Sequence, residues 1–248
     1  MMRQAVFALF NLALIGALSG CVVSETKPLP KIHPIQAQTQ IPADELLDVA
    51  VRTFDPGIPE EIADDDEALE KRRIYPDIRE AESRYIATLL RSTLESSGQW
   101  GAVRVVPRNV EFVDVIVDGK ILESNGAHLA VEVTVTDSTG RKWIDRKRYE
   151  SPADLGSYKT EAALEARDPF QNVYSQIAND MVAARDALLA EDRREIRRVT
   201  ELRFASDLAP AAMQGYLQSG KDGRLTIARL PASDDPIVER IARIRERD

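Results

Sequence analysis

Two histidines and one cysteine are all the imidazole and thiol chemistry in this 248-residue chain. Nucleophilic and general acid–base catalysis need such groups brought together with a partner that orients them. His33 stands among prolines and His128 opens a strand-like stretch, so both read as loop or edge residues. There is no G-x-S-x-G elbow, no H-E-x-x-H pair and no phosphate-cradling glycine loop. The segment Gly220-Lys221-Asp222-Gly223-Arg224 is too short for such a loop and lacks a following Ser or Thr. The run Asp64-Asp65-Asp66-Glu67 has neither the alternation nor the turn glycine of a calcium loop, and reads as solvated charge. A glycosidase would use two facing carboxylates, but spacing cannot single out a pair among 41 acids. Arg193, Arg194, Arg197 and Arg198 could meet a phosphate or a glycan; the negative end of a helix accounts for them as well. These residue types point to a protein that is not an enzyme and holds no metal or cofactor.

The cysteine has a more telling setting. Met1-Met2-Arg3-Gln4 carries one positive charge, and the apolar run from Ala5 to Gly20 has the length of a secretory core segment, short for a membrane span. Leu18-Ser19-Gly20-Cys21 resembles a bacterial lipobox. The resemblance implies that residues 1–20 are a signal peptide and that Cys21 is diacylglycerol-linked, cleaved before, and N-acylated. Several acyl chains anchor stably where one does not, at roughly 0.8 kcal/mol per buried CH₂. With Cys21 lipidated, no thiol remains for a disulfide, a metal or catalysis. Val22 stands where an aspartate would retain such a protein in the inner membrane, so the expected place is the periplasmic face of the outer membrane.

The net charge of −8 argues against a nucleic-acid partner. Residues 22–43 hold four prolines and little apolar periodicity, and read as an extended tether; with Cys21 they form a segment 21–44. An α/β (α+β) domain is expected over residues 45–199: a mixed, largely antiparallel sheet packed by long helices. Leu47, Val49, Val51 and Thr53 alternate on a first strand. A long helix from Pro76 to Gly98 carries a stripe of Ile78, Ala81, Glu82, Tyr85, Ile86, Leu89, Leu90, Thr93 and Leu94. A short strand 103–107, a strand 113–124 with Gly119 as a bulge, a strand 128–137, the turn Asp137–Gly140 and a strand 141–149 follow. One helix is expected from Asp168, as N-cap, and Pro169 to about Val199, with the arginine cluster near its far end.

Asp114–Ile121 and Val131–Trp143, with their V-x-V alternation and D-x-x-G and T-G-x-x-W spacing, resemble a signature of envelope lipoproteins. That group includes the curli-secretion lipoprotein, lipoprotein activators of peptidoglycan synthases and flagellar outer-membrane lipoproteins; auxiliary lipoproteins of ABC transport systems are looser relatives. The resemblance covers roughly residues 46–190. It implies a periplasmic α/β body that acts by binding other envelope proteins, as a non-catalytic adaptor or accessory subunit. The alternatives are an auxiliary role in ABC-type lipid transport, or a carboxylate-based hydrolase.

Two surfaces are candidates for contact. Arg141, Lys142, Arg146, Lys147 and Arg148 form a basic strand that could meet an anionic lipid surface or peptidoglycan, or serve only to charge an edge strand. Residues 200–248 read as a helix–strand–helix extension whose last helix bears Ile237, Ile241 and Ile244 on one stripe. An isolated helix of that length is marginal in water, so the stripe packs on its own domain or on a partner. Oligomerisation is left open.

Overall fold

Strand β1 (Val49–Arg52) leads through a 3-10 turn (Glu60–Ile62) and a short helix α1 (Asp66–Lys71) into the long helix α2 (Pro76–Ser96). Strands β2 (Val103–Val106), β3 (Val115–Ser124), β4 (His128–Asp137) and β5 (Lys142–Pro152) follow. Helices α3 (Gln171–Asp186) and α4 (Ala190–Leu208) and a hairpin of β6 (Leu217–Ser219) and β7 (Leu225–Ile227) complete the order. The computed structural model describes residues 29–154 and 167–232, together with Pro236, Arg240 and Arg243. Cys21 and the stripe of Ile237, Ile241 and Ile244 lie outside the described residues.

The strands form one sheet in the order β2-β1-β3-β4-β5. β1 runs parallel to β2 and β3, with α2 as the crossover that parallel neighbours require. β3, β4 and β5 make an antiparallel meander with the longer ladders. This is the expected α/β class: a mixed, largely antiparallel sheet packed by long helices. Val51, Val117 and Val135 lie side by side across β1, β3 and β4 and are fully buried. α2 packs on β1 and β2, and α3 on β5, so both cover the same face. The other face carries Arg52, Asp118, Glu132, Thr134 and Thr136, half-buried. One packed and one polar face is what period-two alternation produces. Among the described residues, no helix is long and apolar enough to cross a membrane.

Four local expectations change. The buried side of α2 is Arg79, Ser83, Ile86, Ala87, Leu90, Thr93 and Leu94, while Ile78 and Tyr85 are exposed. Leu90 and Leu94 sit on the sheet, and stepping back from them in whole turns of 3.6 residues reaches Ser83 and Arg79, not Ile78 and Tyr85. Gly119 is no bulge; the register shifts between Ile121 and Glu123 instead. A Cβ on Gly119 would lie 2.3 Å from the Phe54 ring, so the glycine makes room for that ring. The long helix from Asp168 is two helices. Asp168 accepts from the Phe170 amide in a turn before α3, and the chain breaks at Leu188–Leu189. Asp192 there accepts from the Leu189 amide and starts α4 afresh. The arginine cluster therefore sits in the first half of α4, away from a negative helix end. α4 also crosses residue 200 without a break, and the next element is a hairpin turned at Gly220–Arg224.

Asp65, within the acidic run, caps α1 by accepting from the Ala68 amide. Among the described residues no three His, Cys, Asp or Glu side chains are close enough to hold a metal ion.

Candidate functional site

Residues 30–37 are not a free tether; they lie along α3. Proline-rich chain leaves its main-chain N–H and C=O groups unused by any sheet, and an asparagine amide offers one acceptor and two donors to take them. Asn172 accepts from the Ile32 amide at 2.9 Å and donates to the Pro30 carbonyl at 2.9 Å. Asn179 repeats the pattern with the Ile35 amide at 2.8 Å and the His33 carbonyl at 3.0 Å. The two asparagines are seven helical residues apart, about 10.5 Å. The segments they hold are offset by three residues, and extended chain covers about 10 Å in three residues. The registers match. Arg167 donates to the Ile32 carbonyl at 2.5 Å, Gln99 to the Ile35 carbonyl at 3.3 Å, and the Ala37 amide to the Ser97 carbonyl at 2.9 Å. Arg185 in turn holds Gln99 through its carbonyl and its side chain, with the guanidinium 5.2 Å from the centre of the Trp100 ring.

The sequence bears little local sign of this strap, because its partners are some 140 residues away. The one local sign was a pair of asparagines seven apart on a single helix. Replacing both by alanine is expected to speed amide exchange at Ile32 and Ile35 by about 5- to 30-fold, the equivalent of 1–2 kcal/mol. Global unfolding should hardly move, because these bonds lie near the surface. Unchanged exchange at the two amides would show that the strap is held by other means.

The basic strand is salt-bridged throughout. Arg141 meets Asp192 at 3.0 Å, Lys142 meets Asp145 at 2.8 Å, and Arg146 meets Glu132 at 3.3 Å. Lys147 meets Asp180 at 2.6 Å and Arg148 meets Glu150 at 2.7 Å. An incoming anion would compete with a carboxylate already in place at each cation. The Arg141 hydrogen bond holds the Asp192 carboxyl below its usual range. The Tyr149 hydroxyl also donates to Asp180, and burial, with that hydrogen bond, pushes its ionisation far above the ordinary value. β5 is thereby fastened to α3.

Asp137–Trp143, the end of the stretch on which the resemblance rests, build a turn. Asp137 accepts from the Thr139 amide and hydroxyl and from the Arg141 amide, and its other oxygen accepts from the Trp143 indole at 2.9 Å. Gly140 takes φ +86°, where a side chain is disfavoured. The Asp-x-Thr-Gly-x-x-Trp spacing is accounted for by this one carboxylate.

The arginines of α4 grip the chain entering β1. Arg193 and Arg194 pair with Glu45 at 2.6 and 2.8 Å, and Arg194 also with Asp44 at 2.6 Å. Arg197 donates to the Leu46 carbonyl and lies 3.8 Å from Asp114. Asp114 is fully buried beside an open cavity of about 360 Å³ lined also by Asp48, Arg104, Phe112 and Phe204. One of its oxygens accepts from the Asp48 amide at 3.0 Å; the other has no hydrogen-bond partner among the described residues. The Thr200 hydroxyl beside it donates to the Ile196 carbonyl.

Burial pushes the Asp114 carboxyl above its ordinary value of 3.8, against the pull of the Asp48 amide. The folded state therefore holds this proton more tightly than the unfolded state. Its contribution is best at acid pH and is lost as pH rises from about 3.8 through the raised folded value. Asp114→Asn keeps an acceptor for the Asp48 amide and removes the titration. Stability of the variant relative to the parent is expected to rise between pH 4 and pH 7 in urea unfolding; a difference independent of pH would refute the assignment.

No family model matches the chain, and no curated protein matches it. Among solved structures it is similar to the PelC dodecamer of Paraburkholderia phytofirmans, at 12% identity, over 61% of this chain and 95% of that one, with a TM-score of 0.34. A DUF330 protein of Xanthomonas campestris is 13% identical over 67% of this chain and 95% of its own, with a TM-score of 0.36. A hypothetical protein of Chlamydia trachomatis is 12% identical over 58% and 99%, with a TM-score of 0.34. At these values the likeness carries neither a family nor an activity to this chain.

Proposed function

We propose that this chain is a lipid-anchored lipoprotein of the outer membrane, facing the periplasm, and that it serves an envelope complex as a non-catalytic adaptor or accessory subunit. The envelope activities in view are secretion, peptidoglycan synthesis and flagellar assembly. The observation that carries the reading is the strap. From Cys21 to Pro30 the chain reaches at most about 30 Å, and at Pro30 it is already clamped to α3. An anchor this closely coupled to the body sets where the body stands. That is what a subunit positioned among fixed partners needs, and a diffusing substrate does not call for it.

The test is recovery of partners from the envelope with the full-length lipidated chain, in parallel with Ile241→Glu. If the C-terminal stripe binds a partner, the variant melts with its parent and loses the co-purifying protein. If the stripe packs on its own domain, the buried charge lowers the melting temperature instead. A parent chain that enriches no envelope protein over a lipoprotein control would overturn the adaptor reading.

A further inference from the structure

We infer that the outer flank of α2, bearing Tyr75, Ile78 and Tyr85, lies against the lipid surface into which the Cys21 acyl chains insert; this rests on the lipid anchor proposed above. These three are among the most exposed large apolar side chains among the described residues, at 49%, 55% and 56%. Tyr75 caps the start of α2, and Ile78 and Tyr85, seven residues apart, lie on the side of the helix that turns away from its buried residues. Tyr75 and Ile78, large apolar groups exposed side by side, call for an occupant.

The path of the chain says which occupant. The Tyr85 hydroxyl donates to Asp168 at 3.1 Å. Four residues on, Asn172 holds the Pro30 carbonyl. The anchor-proximal end of the strap and the apolar flank are thus at the same end of the helical layer. Only the short stretch between Cys21 and Pro30 separates that end from the acylated residue, within about 30 Å at full extension. The residue types suit the place: tyrosine has an apolar ring and a polar tip and is enriched where water meets lipid. Lys71, Arg72, Arg73 and Arg84 are exposed nearby and can lay their stems on the surface with their charges in water. Glu70, Asp77 and Glu80 nearly balance them. The contact is therefore apolar and should be insensitive to salt, unlike a basic patch on anionic lipid.

With its single cysteine acylated, the protein has no free thiol, so Ile78→Cys introduces a unique labelling position on an exposed site. The lipidated full-length chain carrying an environment-sensitive fluorophore at that position is incorporated into phosphatidylethanolamine–phosphatidylglycerol vesicles. Ser219→Cys, on the exposed end of β6, is the reference. The expected result is a blue-shifted emission at position 78, quenched by lipid-borne spin label in both low and high salt, with neither effect at position 219. A label at 78 that stays water-like while mass spectrometry shows the acyl groups overturns this inference and leaves the anchor standing. A protein with no acyl mass overturns the anchor, and the inference with it. Blue shift on adding membrane-free envelope protein but not on vesicle incorporation would mean that a protein covers the flank, which also overturns it.

Discussion

Cys21→Ala is expected to leave a chain that keeps residues 1–20, carries no acyl mass and is missing from the outer-membrane fraction. The lipobox resemblance makes acylation of this thiol the step on which processing depends. Membrane affinity from acyl chains accumulates at roughly 0.8 kcal/mol per buried CH₂, so losing all of them is a loss of many orders of magnitude in partitioning. The apolar run from Ala5 to Gly20 is short for a comfortable span, and no described helix can cross a membrane. Intact-mass spectrometry and membrane fractionation read the two parts of the result separately. A mature parent protein that begins anywhere but at Cys21, or that lacks acyl mass, would remove the basis of the proposed function.

Gly57→Ala is expected to be the most damaging small substitution among the described glycines. Beyond β1 the chain keeps to the edge of β3: the Asp55 amide donates to the Gly119 carbonyl at 2.7 Å and the Ile121 amide to the Asp55 carbonyl at 2.9 Å. Gly57 then turns with φ +68°, its amide held by the Asp55 carboxylate at 2.8 Å. A Cβ at this position would lie 1.8 Å from the Ile121 carbonyl oxygen, which is backbone in a buried ladder and has nowhere to go. The left-handed conformation alone costs an alanine about 1 kcal/mol. Displacing the β1–β3 edge adds to it, for a total of about 3 kcal/mol or more. Gly126→Ala isolates the first effect, because Gly126 has φ +77° with open space around it. Urea unfolding of the two variants should differ by about 2 kcal/mol. Equal losses would mean that the loop shifts freely and that the close approach to Ile121 is unimportant.

Much of the sheet is written locally. Val131, Val133 and Val135 alternate with Glu132, Thr134 and Thr136, and the strand forms where that alternation lies. Pro76 opens α2, and Gly98, at φ +65°, follows its end. Asp137–Gly140 turns as the sequence says, because its carboxylate bonds to groups within six residues of itself. Signals of this kind act through period, cap and turn over a short span of chain, and need no knowledge of what the element meets.

Tertiary structure decided the rest. Ile78 and Tyr85 belong to the same apolar stripe as Leu89, but the sheet takes the neighbouring side of α2, and a helix cannot present both. The break at Leu188–Leu189 interrupts a run of good helix formers, and the arginines beyond it are engaged by Asp44, Glu45 and the Leu46 carbonyl at the entry to β1. Arg141 and the four cations of β5 look like a positive surface until the fold sets a carboxylate beside each, some of them on other elements. The strap is the extreme case. Cys21 and the prolines give rise, by their types alone, to the expectation of an anchored, extended segment. Asn172 and Asn179 hold that segment through main-chain groups common to every residue, so its own side chains carry no mark of where it docks.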